Sequence, residues 1–103
     1  MTWRPPRIAS GVTTVTTTYV VTGSENVVAG DATSAGISVT LPAATSVAAG
    51  REITIKKTDA TANEITITPN GTDTIDGAPT YVLDMPNEAV TIASDGVSNW
   101  LTV

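Results

Sequence analysis

REITIKKTDATANEITITPNGTDTIDG, residues 51–77, is the stretch whose reading decides the fold. Ile53, Ile55, Ile65 and Ile67 fall on alternate positions, beside Thr54, Lys56, Thr66 and Thr68. A strand sends successive side chains to opposite faces, so this period of two lets the four isoleucines share one buried face while threonine and lysine meet water or a neighbour. The link 58–63 is polar and small, suited to turning the chain back antiparallel. The expectation is a β-hairpin followed by the approach to a further strand. On it, the Lys56-Lys57 pair reads as a solvated face or a guard against edge pairing.

Outward from the hairpin, the same grammar recurs. Ile37, Val39 and Leu41 alternate with Ser38 and Thr40 until Pro42 closes the run, as expected for a strand stopped by proline. Residues 12–22, VTTVTTTYVVT, are almost wholly β-branched and read as one long Thr-rich strand, paired with another subunit or with its own sheet. Residues 26–29 make a short strand, and residues 43–50 a loop. Asn70-Gly71, Asp76-Gly77 and Asp95-Gly96 are turn dipeptides. Between them lie strands over 80–85, over 88–94 with Val90 and Ile92 on one face, and over 98–103. The echo between ITIKKTDA and ITITPNGT is read as a hairpin rather than a solenoid repeat. The predicted architecture is all-β, a small antiparallel β-sandwich or barrel-like domain over residues 23–103. Residues 1–22, with Pro5 and Pro6, form an extended N-terminal arm and the Thr-rich strand.

Composition narrows the function. The chain has no Phe, only 4% aromatics, and an apolar content drawn mainly from Val, Ala and Ile, so its 103 residues offer a thin core. Without Cys there is no disulfide or thiolate site to offset that, which leaves oligomerisation as the route to a larger core. A net charge of −5 with five basic residues argues against nucleic acid as a partner. No apolar run is long enough to span a membrane, and the first residues lack the hydrophobic block of a signal peptide, so the expectation is a protein made and used without secretion of its own. The absence of both His and Cys removes the commonest nucleophile–base pairs and most transition-metal ligands, so no catalytic residue, cofactor or metal is expected. Asp73, Asp76 and Asp84 are the nearest approach to a carboxylate cluster. They could serve a carbohydrate-active enzyme or hold Ca²⁺, but Asp beside glycine is expected for turn geometry alone.

Residues 37–103 resemble a module of tailed-bacteriophage virion proteins. The carrying motifs, in order, are LPAA at residues 41–44, ITIKKTD at 53–59, NEITITPNG at 63–71, TIDG at 74–77 and SDGVSNW at 94–100. The resemblance implies an all-β homotrimer on the virion surface, assembled in the host cytoplasm. Because the chain is short, with an arm ahead of the module, a capsid decoration (cement) protein bound to the major capsid protein is the expected role. Trp3, Arg4, Arg7, Ile8, Val12 and Val15 are the candidate capsid-binding residues. The candidate oligomer core is Ile37, Val39, Leu41, Ile53, Ile55, Ile65, Ile67, Val90 and Ile92. The alternative is a short tail-fibre or head-fibre component that binds host-surface carbohydrate, with Trp100, Tyr81 and exposed Asp residues as contacts.

Overall fold

The computed structural model describes residues 11–103, which form two stacked β-sheets and one short 3₁₀ turn at Ala44–Ser46. The strands are β1 (Val12–Val15), β2 (Tyr19–Val20), β3 (Val27–Gly30), β4 (Ile37–Thr40), β5 (Glu52–Lys57), β6 (Ile65–Thr68), β7 (Thr74–Ile75), β8 (Tyr81–Leu83), β9 (Ala89–Ser94) and β10 (Asn99–Thr102). One sheet has the order β1-β3-β5-β9-β10-β7 and the other β2-β4-β6-β8. Odd and even strands therefore alternate between sheets through the first six. β1, β3 and β5 pair in parallel, as do β2, β4 and β6. The chain winds as three coils, each laying one strand on either sheet. Antiparallel strands then close the far side, β9 against β5 and β8 against β6.

The expected hairpin is thus replaced by an arch. β5 and β6 lie in different sheets, and each pairs with the strand of the preceding coil rather than with the other. The antiparallel sandwich is corrected to a mixed one, and the ITIKKTDA/ITITPNGT echo is the mark of a winding chain after all. Period two predicts an inward face correctly but is silent on whether two such faces are neighbours in one sheet or opposed across two. Residues 12–22 likewise split into β1 and β2 around a corner at Thr16, Thr17 and Thr18. The expected arm at residues 1–10 lies outside the described residues, whereas Val12–Val20 enters both sheets as outermost strands.

The inward sets interdigitate between the sheets. Ile53, Ile55 and Val28 from one side meet Ile37, Val39, Ile65 and Ile67 from the other, all fully or almost fully buried. All nine residues expected to form an oligomer core are covered by this chain's own two sheets. Burial of Val90 and Ile92 follows from their register opposite Ile55 and Ile53, and Leu41, just past β4, joins the same cluster. The two layers approach closely at Gly30, where an added Cβ would stand 2.6 Å from Ile65 Cδ1.

The outer face of the six-stranded sheet follows from the same registers. Its central row is Val12, Val27, Thr54, Thr91 and Val103. On one side run Thr14, Ala29, Lys56 and Ala89, and on the other Glu52, Ala93 and Leu101.

The close approach at Gly30 is testable as a coupled pair. Gly30→Ala overpacks the layer and lowers stability by about 1–3 kcal/mol, and Ile65→Val alone costs about 0.5–1.5 kcal/mol. Because valine lacks the offending Cδ1, the double variant loses less than the sum in urea unfolding.

Candidate functional site

Two polar clusters occupy the corners where the chain crosses between sheets. At the corner after β5, Lys57 is fully buried and pairs with Asp59, Nζ to Oδ2 2.5 Å. Asp59 also accepts from Ala32 N (2.8 Å), Thr61 N (3.0 Å) and the Thr61 hydroxyl. Asn63 Nδ2 donates to Ala32 O at 2.8 Å from the same corner. Burial works against the Asp59 charge, but the bonds from Lys57, Thr61 and Ala32 outweigh it and hold the carboxyl far below the usual carboxylate range. The expectation that Lys57 is solvated is corrected here, since its side chain points inward from the last position of β5.

The corner after β2 is built on Glu25, which is only 4% exposed. Its carboxylate accepts from Thr22 N (3.0 Å), Thr22 Oγ1 (2.8 Å), Gly23 N (3.0 Å) and the Tyr19 hydroxyl. Arg51, just before β5, donates from Nε to Gly23 O (3.2 Å) and from Nη2 to Glu25 O. Each cluster therefore ties the corner of one coil to its neighbour. Burial pushes the Glu25 pKa up, but its hydrogen bonds from Tyr19 and Thr22 prevail and bring it to about 2. Donation to Glu25 raises the Tyr19 pKa in turn. Sequence reading missed Glu25, Lys57 and Asp59. The available signal was a Thr-x-x-Glu and a Lys-x-Asp-x-Thr at strand ends, where short-range side-chain bonds to free backbone amides are expected.

The carboxylates weighed for catalysis are separately employed. Asp73 Oδ2 accepts from Ala44 N at 2.9 Å, at the start of the 3₁₀ turn. Asp76, at φ 49°, accepts from Thr102 N (3.1 Å) and Thr102 Oγ1 (2.5 Å), and the Thr102 hydroxyl and amide together lower its pKa. Asp84 is exposed beside the turn where Glu88 Oε1 accepts from Asp84 N and Met85 N. Among the described residues, no three Asp or Glu side chains gather closely enough to hold a metal ion.

The aromatic contacts fare differently from expectation. Trp100 is wholly buried in the core, its Nε1 without a hydrogen-bond partner, and so offers nothing to a sugar. Tyr81 is half-buried and packs against the core. Of the candidate capsid contacts, Trp3, Arg4, Arg7 and Ile8 lie outside the described residues. Val12 is 66% exposed on the outermost strand of its sheet, while Val15 is buried in the core and is removed from the contact set.

Among the described residues, two surfaces stand out as open to partners. An open groove of about 520 Å³ on the four-stranded sheet is lined by Thr18, Ser38, Asn63, Glu64 and Thr66 among others, a polar surface of hydroxyls with one amide and one carboxylate. The outer face of the six-stranded sheet carries three of the large exposed apolar side chains, Val12, Leu101 and Val103. No protein-family model and no curated protein matches this chain.

Acid stability reads out the corner clusters. Glu25 titrates lower in the folded chain, at about 2, than its ordinary value of 4.5. The unfolded chain thus binds more protons between those values, and stability falls as pH drops through that window. Glu25→Gln flattens this part of the pH–stability curve measured by urea unfolding. At neutral pH, Asp59→Asn destabilises more than Lys57→Met, because Asp59 serves two backbone amides as well as the ammonium, and its loss strands a buried charge.

Proposed function

We propose that this chain is a structural protein of a tailed-bacteriophage virion, a capsid decoration protein that acts as a homotrimer. In this reading it sits on the major capsid protein at the virion surface and attaches through its N-terminal residues 1–22. The observation that carries the reading is the ordered series of motifs over residues 37–103. Those motifs fall on strands and corners that hold the coils in register: Asp59 ends ITIKKTD, Asn63 opens NEITITPNG, and Asp76 in TIDG bonds to Thr102. The motifs that carry the resemblance are therefore scaffold, consistent with a role in binding and reinforcement. The engagement of Asp73 and Asp76 in turn geometry supports binding over hydrolysis.

A second reading is a short tail-fibre or head-fibre component that binds host-surface carbohydrate. The hydroxyl-lined groove beside Ser38 and Thr66 favours it, with Glu64 and Asn63 as polar contacts, in place of the interior Trp100.

Cosedimentation separates the two. Purified protein mixed with undecorated capsids pellets with them, and deleting residues 1–11 abolishes pelleting while leaving the circular dichroism of the β-domain unchanged. Binding to host cells but not to capsids favours the fibre reading and overturns the decoration reading.

A further inference from the structure

We propose that the outer face of the six-stranded sheet is the surface where copies of this chain meet, around a rotation axis laid along its central row. The order of that axis rests on the homotrimer reading above; the choice of face does not.

The central row, Val12, Val27, Thr54, Thr91 and Val103, runs across the strands and contains no charged side chain. Thr54 Oγ1 and Thr91 Oγ1 bond to each other at 2.8 Å, so these hydroxyls satisfy one another across the strands and can leave water at little cost. Both valines that end the row are exposed, Val12 by 66% and Val103 by 69%. No helix covers this face among the described residues. On a chain of net charge −5, the two charged side chains of these rows, Glu52 and Lys56, are opposite in sign, so like-charged copies meet less repulsion on this face.

Those two charges also fix how the copies fit. Glu52 and Lys56 flank Thr54 on the same strand, one on either margin of the face. Rotation about the central row carries the Glu52 margin of one copy against the Lys56 margin of the next. Because both residues belong to β5, they stand at the same height along the axis, and a pure rotation without any rise pairs them. That is the condition for a closed ring rather than a filament. Lys56 Nζ already donates to Asn87 O at 2.7 Å, which orients the ammonium and leaves further donors for a carboxylate.

The test is a charge exchange in the full-length protein, read by sedimentation velocity across a concentration series. Glu52→Lys and Lys56→Glu each set like charges together at the margin and weaken the assembly about tenfold or more. The double exchange restores it. Val27→Lys, in the central row, dissociates it. Circular dichroism reports whether each variant keeps its fold. A wild-type oligomer indifferent to both single exchanges and to Val27→Lys overturns the face and leaves the oligomer reading standing. Single exchanges that weaken assembly without rescue in the double variant overturn the axis. A wild-type monomer at high concentration overturns the interface and the homotrimer reading together. Loss of capsid binding in the single variants at unchanged mass assigns the face to the capsid and overturns self-association through this face.

Discussion

Everything in this fold depends on the corner between β5 and β6 failing to turn back on itself. A hairpin would have turned back over residues 58–63 to pair with its own strand; here Asp59 instead draws Lys57, Thr61 and the amide of Ala32 to one carboxylate. Ala32 belongs to the corner of the preceding coil. The carboxylate thereby fastens the two corners together, and the chain is delivered to the opposite sheet in register with β4. Burying an ion pair gives little net stability by itself, since desolvation offsets the attraction. Its effect here is geometric: once the corner is fixed, each inward isoleucine finds the layer it must fill.

The core built on that constraint is thin in cross-section but continuous. Small β-branched residues fill most of the space between the sheets, and at Gly30 an added methyl group would have to displace Ile65 Cδ1. The large exception is Trp100, delivered from β10 to the interior, where its ring fills more volume than any other fully buried side chain. A core of this kind closes within one chain, so the shortage of aromatics that suggests oligomerisation from composition alone is met partly by close layer packing. The case for association moves from the interior to the exterior, where Val12, Leu101 and Val103 stand uncovered.

How much of this was legible in the sequence differs by level. The inward face of nearly every strand was readable, because alternation of Ile and Thr is a local property: Ile37, Val39, Ile53, Ile55, Ile65 and Ile67 are all buried as read. Turn positions were readable for the same reason, with Asp76 and Gly96 both at positive φ. Strand partners were not, since an arch and a hairpin share one periodicity and differ only in contacts between residues distant along the chain. Lys57 misled because charge ordinarily implies solvent, and nothing local announces that Asp59 will be buried beside it. Trp100 misled in the opposite sense, its ring being equally at home in a core and on a sugar. The N-terminal contacts beyond Val12 and Val15 came from the proline-bearing arm and the resemblance, and lie outside the described residues.

The winding also gives the molecule two unlike ends. At one, β8 and β9 run against the coils, with β10 and β7 beyond β9 at the edge of the larger sheet; at the other, β1 and β2 present the same pair of parallel edges that β3 and β4 offered to them. Height is therefore an adjustable dimension of this architecture. A whole added coil, carrying one strand for each sheet and a carboxylate at its corner, would find both of its partners waiting, whereas half a coil would leave one sheet a rung short. Such a body lengthens in discrete storeys while its cross-section, and any surface running up its side, keeps the same profile.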